Sequence, residues 1–156
     1  MTIRIEDKPA EKVVGVRVVG PYPQTIPQGC QRLMAWQQQQ GVLIGKWLVL
    51  YWDDPSEVAP EQLRADVVFT VPDDFVLPTT ASEGFAVQML PAGLYGVYNV
   101  RITDGDFGKA WTDFYQRELP ASGYKPTAGV SYEHYLNDCE ADGYFDLDIY
   151  QTVQKI

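Results

Sequence analysis

The chain has 156 residues, the length of one ordinary domain that can bury a core without disulfides. Hydrophobic residues make up 46% of it and charged residues 21%, a balance that excludes a disordered chain. The net charge of −9 opposes contact with nucleic-acid phosphates, so we expect no direct binding to DNA or RNA.

We expect no secretion signal at the amino terminus, because apolar and charged residues alternate from Met1 to Lys8 where a signal would have a basic region followed by an apolar stretch. No long apolar run is present, and we expect no membrane segment. Cys30 and Cys139 lack metal-ligand spacing and the chain has one histidine, so we expect neither a metal site nor a cofactor. These features favour a reducing cytoplasm.

The first half predicts strands around one amphipathic helix. The helix is indicated by apolar residues at three- and four-residue spacing, with glutamines on the other side. An acidic loop, residues 53–57, separates the last two strands. In chain order we predict a strand at Thr2 to Glu6, a strand at Val13 to Val19, the helix at about Thr25 to Gln40, and strands at Lys46 to Trp52 and Leu63 to Val71.

The second half predicts the same order of elements. Asp104 or Asp106 is a candidate cap for its helix, and a second polar loop follows the third strand. We predict strands at Phe85 to Leu90 and Leu94 to Ile102, a helix at about Asp106 to Leu119, and strands at Val130 to Leu136 and Phe145 to Val153.

The two halves therefore predict a β-α-β-β unit used twice. Nearly the same offset separates Gly15 from Gly96 and Asp66 from Asp148. Neither unit is large enough to cover its own helix and sheet faces, so we expect one α+β domain spanning residues 1–156. Its pseudo-symmetric repeats would cover about residues 1–72 and 84–156, with a cleft between them.

Glu133 is the most informative residue, because it lies in an aromatic strand-like run. Strand side chains alternate, so Glu133 and Tyr135 share one face while Tyr132 and His134 share the other. Burying a lone carboxylate is costly unless the group is paired or protonated. Glu133 is either a solvated strand carboxylate or the anionic floor of an aromatic pocket.

Several aromatic residues are candidates for lining such a pocket. Each of them could equally be an ordinary packing residue, but as a set around a carboxylate they favour a site for a small hydrophobic or cationic ligand. They are Trp111 and Tyr115 on the second helix, with Trp47, Tyr51, Tyr135 and Tyr150 on strands.

The acidic loops are candidates for a protein contact. Loops rich in acidic residues are often simply solvated, but these follow equivalent strands and would suit a basic protein surface. The partner-binding candidates are Asp53, Asp54, Glu57 and Asp138.

A family resemblance follows from five motifs spread along the chain. The motifs are Val18-Val19-Gly20-Pro21-Tyr22 with Gln24-Thr25, Leu33-Met34-Ala35-Trp36, Tyr51-Trp52-Asp53-Asp54-Pro55, Leu63-Arg64-Ala65-Asp66 and Asp142-Gly143-Tyr144-Phe145-Asp146. In this order they resemble the GyrI-like small-molecule-binding family over nearly the full length.

The resemblance implies a doubled β-α-β-β fold of the SHS2 type, with an aromatic pocket whose buried glutamate matches Glu133. Single-domain members of the family imply an inhibitor of bacterial DNA gyrase supercoiling that protects against gyrase-directed or DNA-damaging toxins. Other members imply an alternative: a small-molecule-binding protein, or a hydrolase that opens cyclopropane rings in alkylating compounds with Glu133 as the catalytic carboxylate. The expected partner is DNA gyrase, and we expect this protein to bind it as a monomer.

Overall fold

The computed structural model describes residues 3–156, which form eight strands and four α-helices. The strands are β1 (Arg4–Lys8), β2 (Glu11–Val19), β3 (Trp47–Tyr51), β4 (Arg64–Thr70), β5 (Phe85–Leu90), β6 (Gly93–Ile102), β7 (Tyr124–Tyr135) and β8 (Phe145–Lys155). The helices are α1 (Tyr22–Gln40), α2 (Phe107–Asp113), α3 (Leu119–Ala121) and α4 (Cys139–Asp142), with a π turn at Phe114–Glu118 and a 3₁₀ turn at Pro60–Gln62.

These elements fall into two compact units. The central unit is Ala10–Leu90, and the terminal unit joins β1 to Pro91–Ile156. The mixed α+β class predicted from the sequence is confirmed. No helix in the described part of the chain is long and apolar enough to cross a bilayer.

In the central unit, α1 packs on one face of an antiparallel sheet. The strands pair in the order β3-β4-β2-β5. Leu33 and Trp36 of α1 are buried against Val67 and Phe69 of β4. Gly29 allows this close approach, because a Cβ there would lie 2.9 Å from a Val67 methyl group. The glycine thus lets helix backbone rest directly on the sheet.

In the terminal unit, the segment from α2 to α3 packs on four antiparallel strands. These strands pair in the order β1-β6-β8-β7. Phe114 and Leu119 are buried against Leu147 and Ile149 of β8. Asp106 caps α2 by accepting a hydrogen bond of 3.0 Å from the Lys109 backbone N–H. One of the two predicted caps is therefore the residue used.

The first strands of the two predicted repeats, β1 and β5, do not pair within their own repeats. β1 pairs with β6, and β5 pairs with β2, so each lies beside a strand of the other predicted repeat. The compact units therefore do not coincide with repeats of about 1–72 and 84–156. Thr2, the first residue of the first predicted strand, lies outside the described residues. The symmetry of the repeats and the cleft between them stay predictions.

Two element boundaries differ from the predictions for local reasons. α1 begins at Tyr22, three residues early, because proline is compatible with a first helical turn and Pro23 occupies it. β7 begins at Tyr124, well before Val130, and its pairing with β8 is irregular between Pro126 and Ser131. Such a bulge interrupts the alternation on which sequence prediction depends.

Candidate functional site

Glu133 lies on β7 and is fully buried, with 0% of its surface exposed. Tyr135, two residues along the strand, donates its hydroxyl to Glu133 Oε1 at 2.9 Å. The predicted alternation is confirmed, because residues two apart on a strand share a face. His134 lies on the other side, where its ring centroid is 6.5 Å from that of Tyr150. The interpretation of Glu133 as a solvated strand carboxylate is wrong.

Trp111 of α2 provides a second hydrogen bond to the same carboxylate. Its indole Nε1–H donates to Glu133 Oε2 at 2.7 Å. Both carboxylate oxygens therefore accept a hydrogen bond from an aromatic side chain. Hydrogen bonds to a buried charge recover part of the free energy lost on leaving water. This pairing explains how the sheet face accommodates Glu133.

Tyr115 extends the aromatic surface outward from Trp111. The two rings stack with their centroids 5.8 Å apart and their planes at 28°. Trp111 is half-buried, whereas 36% of Tyr115 is exposed. We call Glu133, Trp111, Tyr115 and Tyr135 the carboxylate cluster. It runs from a buried carboxyl group to an aromatic ring at the surface.

A π turn in the helical segment carries Tyr115. Within Phe114–Glu118 the hydrogen bonding widens, and Leu119 N–H donates to the Phe114 carbonyl, five residues back. Pro120 accounts for the widening, because it has no N–H and its ring would clash with the carbonyl of Gln116 in a regular α-helix. The segment predicted as a helix at about Asp106 to Leu119 is helical, but its middle part is a π turn and not regular α-helix. Pro120 was the signal, and π turns are frequent at functional sites.

The carboxylate cluster suits an organic cation. A buried carboxylate attracts positive charge, and the faces of Trp and Tyr rings attract it through their quadrupoles. The same carboxylate is a candidate to accept a proton from water, since Glu side chains serve as general bases. The geometry places a carboxyl group and aromatic rings together, as both roles require.

Tyr150 does not share the face of the carboxylate cluster. Glu133 pairs with Ile149 across the β7–β8 ladder, and Tyr150 pairs with Tyr132 on the opposite face. The Tyr150 and Tyr132 rings stack with centroids 4.7 Å apart. Burial raises the pKa of Tyr150 to about 12. The expectation that Tyr150 lines a pocket together with Glu133 is therefore wrong, because side chains of adjacent strand residues point to opposite faces.

The two remaining aromatic candidates belong to the central unit. Trp47 packs edge-on against Phe69 with ring centroids 5.9 Å apart, and Tyr51 packs edge-on against Tyr22 at 5.0 Å. These contacts fit the alternative of aromatic packing. A role for Trp47 and Tyr51 in ligand binding stays a prediction.

The acidic loop residues have local structural partners. Asp53 accepts hydrogen bonds of 2.9 Å from the Arg64 guanidinium, which lowers the pKa of the Asp53 carboxyl. Asp54 accepts hydrogen bonds from Ser56, and Asp138 caps α4 by accepting from the Ala141 N–H at 3.2 Å.

Exposure separates these loop residues into two classes. Arg64 neutralises Asp53, whose side chain is only 11% exposed, while Asp54, Glu57 and Asp138 are exposed to solvent. The carboxylates of Asp54, Glu57 and Asp138 are therefore accessible to a basic partner surface. Their role in partner binding stays a prediction. Among residues 3–156, no group of three or more His, Cys, Asp or Glu residues could hold a metal ion.

Sequence reasoning missed a second buried carboxylate, Asp66 in the central unit. It is 2% exposed and accepts hydrogen bonds from Arg17, Trp52 and Gln88, each at 2.8 Å. Desolvation raises the pKa of Asp66, but the hydrogen bonds from these three side chains outweigh it and the net pKa is lowered. The signal was an acidic residue inside the apolar run of β4.

Gln151 was also missed. It is a buried amide of β8, and its Oε1 accepts a hydrogen bond of 2.5 Å from the Tyr115 hydroxyl. An isolated Gln in a strand carries no motif, so only the fold shows that it reaches the carboxylate cluster.

The family model described as the GyrI-like small molecule binding domain matches residues 1–154. A DNA gyrase inhibitor of Serratia proteamaculans is 83% identical over 155 residues, 99% of each chain. A DNA gyrase inhibitor of Yersinia enterocolitica is 50% identical over 155 residues, again 99% of each chain.

Solved structures share the fold at low identity. A hydrolase from Listeria innocua superposes with a TM-score of 0.69 and 11% identity, over 98% of this chain and 92% of that one. A protein whose structure was determined bound to tetraphenylphosphonium superposes with a TM-score of 0.58 and 12% identity, over 99% of this chain and 94% of that one.

Proposed function

The chain belongs to the GyrI-like small-molecule-binding family, and on this premise we propose that it inhibits supercoiling by bacterial DNA gyrase through direct binding to the enzyme. The observation that carries this proposal is its end-to-end similarity to the Serratia proteamaculans DNA gyrase inhibitor. The net charge of −9 supports contact with the gyrase protein and opposes competition for its DNA.

Inhibition of this kind would protect the cell from gyrase-directed or DNA-damaging toxins. A toxin that acts through DNA-bound gyrase does less damage when fewer gyrase molecules are engaged on DNA. The proposal therefore joins the inhibitory role to a protective one in the bacterial cytoplasm.

Exposed acidic side chains are the contact we propose for gyrase. Asp54, Glu57 and Asp138 project charge into solvent, whereas the charge of Asp53 is met by Arg64. Charges at the rim of an interface raise the association rate more than the final affinity. We therefore expect binding to gyrase to weaken as the salt concentration rises.

The experiment is a supercoiling assay with relaxed plasmid and purified gyrase, titrated with this protein at fixed salt. Bovine serum albumin, which is also acidic, provides the control for a nonspecific effect of charge. We expect dose-dependent loss of supercoiling with this protein and none with albumin. Equal supercoiling with both proteins at every attainable concentration would contradict the proposal.

A second function is favoured by the carboxylate cluster, which we propose as the binding site for a small hydrophobic or cationic ligand. Glu133 supplies the buried anion, and Trp111 and Tyr115 supply stacked aromatic faces. Tetraphenylphosphonium, the ligand of one structural relative, combines a positive charge with aromatic groups and is a suitable probe. We expect saturable binding of this probe in isothermal titration calorimetry.

Hydrolysis at the same site is an alternative supported by the Listeria innocua neighbour. There Glu133 would take a proton from water while the water oxygen bonds to a ring carbon of a cyclopropane in an alkylating compound. One strained C–C bond of the ring would break, its electron pair would pass to an electron-withdrawing group attached to the ring, and that group would take up the proton from Glu133. Incubation with such a compound separates the two outcomes. Binding alone returns the compound unchanged, whereas hydrolysis returns a ring-opened product that Glu133→Gln does not form.

A further inference from the structure

Gln151 is a buried polar residue whose whole amide group is used within the terminal unit. It lies in β8 and is 6% exposed. Its Nε2 donates to the Thr127 carbonyl at 3.1 Å and to the Thr152 carbonyl at 2.9 Å. Its Oε1 accepts from the Tyr115 hydroxyl. Two carbonyls on one side and a hydroxyl on the other define the orientation of the amide.

One end of this arrangement is anchored in the bulge of β7. Thr152 Oγ1 accepts a hydrogen bond of 3.2 Å from the Val130 backbone N–H. Gly129 fits beside Thr152 because it has no side chain; a Cβ there would lie 2.4 Å from Thr152 Oγ1. Together with the Gln151 bond to Thr127, these contacts hold the irregular segment at a fixed distance from β8.

The other end of the arrangement reaches the carboxylate cluster. Tyr115 stacks on Trp111, and Trp111 donates to Glu133. One continuous series of contacts thus connects Gln151, Tyr115, Trp111 and Glu133. Tyr115 is the member at the surface, and its hydroxyl bond to Gln151 restrains rotation of the ring away from Trp111.

We infer that Gln151 is a positioning residue that holds Tyr115 against Trp111 and thereby determines the affinity of the carboxylate cluster for an aromatic cation. This inference rests on the small-molecule-binding function proposed above. Gln151 does not contact the ligand in this account. It acts through Tyr115, whose ring in the stacked position lies against Trp111, the indole that donates to Glu133.

The test is a double-mutant cycle on Gln151→Met and Tyr115→Phe. Methionine keeps the length of the glutamine side chain without its polar groups, and phenylalanine removes only the hydroxyl. Tyr98→Phe is the matched control, because Tyr98 is a buried tyrosine of the same unit that stacks on Phe114. Affinity for tetraphenylphosphonium is measured by titration calorimetry for each variant.

We expect each single variant to weaken binding of the probe about three- to tenfold, the effect of one hydrogen bond. The double variant should bind no more weakly than the weaker single variant, because both remove the same bond. Tyr98→Phe should bind as the wild type does. Wild-type affinity in both single variants, or additive losses in the double variant, would overturn the inference.

Near-ultraviolet circular dichroism of the ligand-free variants distinguishes this inference from the proposed binding function. We expect stacking of Tyr115 on Trp111 to contribute to that spectrum, and the bands lost in Trp111→Phe identify the contribution of Trp111. If the wild type fails to bind the probe, the proposed ligand is wrong, and the spectra decide the positioning role. Loss of the Trp111 bands in Tyr115→Phe would support the positioning role of Gln151. This readout does not require Gln151→Met to fold. Unchanged bands in Tyr115→Phe would overturn the positioning role.

Discussion

The indole nitrogen of Trp111 lies 2.7 Å from Oε2 of Glu133 and joins α2 to the buried carboxylate of β7. This hydrogen bond connects the packing of the terminal unit to the chemistry of the carboxylate cluster. A helix that moved away from the sheet would leave part of the charge of Glu133 without compensation. The stability of the unit and the properties of the site are therefore expected to change together.

Trp111→Phe should destabilise the protein by about 1–3 kcal/mol beyond the loss of ring area, because it leaves a buried carboxylate oxygen without this donor. Urea unfolding of the variant provides the measurement. Trp47→Phe is the control, since Trp47 is also half-buried and packs edge-on against Phe69. Equal losses of unfolding free energy in the two variants would show that ring packing, and not the hydrogen bond to Glu133, accounts for the effect.

Glu133→Gln should lower affinity for tetraphenylphosphonium at least about tenfold, because it removes the charge that attracts the cation. The side chain keeps its shape, and the Tyr135 hydroxyl can rotate to accept from the new amide. Triphenylphosphine oxide, which is neutral, is the control ligand in the same calorimetric titration. We expect its affinity to be the same for both proteins, and a parallel loss for both ligands would indicate a distorted site.

Asp66 should contribute a pH-dependent part of the stability. Its folded-state pKa is lowered from 3.8, so its contribution is present above that value and is lost as the pH falls through the lower folded pKa. Asp66→Asn should cost about 1.5–3 kcal/mol near pH 7, because it removes the charge-assisted hydrogen bonds from the Arg17 guanidinium to the buried carboxylate. Urea unfolding from pH 7 to pH 2 should show the difference from wild type narrowing below pH 4. A constant difference would contradict this account.

Asp54→Lys with Glu57→Lys should slow association with gyrase about tenfold at low salt and flatten its salt dependence. Surface plasmon resonance at several salt concentrations measures both quantities. Asp73→Lys with Asp74→Lys changes the charge by the same amount at two other exposed aspartates of the central unit. If this control pair slows association equally, overall charge and not the loop at residues 53–57 governs the encounter.

Strand alternation was sufficient to predict that Glu133 and Tyr135 share a face, because the rule depends only on neighbouring residues. It could not place Tyr150, since that requires knowing which residue of β8 lies opposite Glu133. A shift of one residue in pairing moves every side chain to the other face. The bulge of β7 between Pro126 and Ser131 makes this register unreadable from the sequence.

Other features could not be predicted from the sequence because they depend on contacts between distant parts of the chain. The pairing of β1 with β6 and of β5 with β2 is not visible in local pattern, because edge strands carry the same alternation whichever neighbour they join. The reach of Gln151 to Tyr115 follows from the packing of a helical segment on a sheet. The π turn had a sequence signal in Pro120, but proline alone predicts a kink or an end and not a widened turn.

Inhibition of gyrase is best tested by supercoiling of relaxed plasmid, titrated in parallel with the wild type and with Glu133→Gln. Glu133 is fully buried, so it cannot contact gyrase itself. We expect both proteins to abolish supercoiling over the same concentration range. Undiminished supercoiling in the presence of the wild-type protein would contradict it.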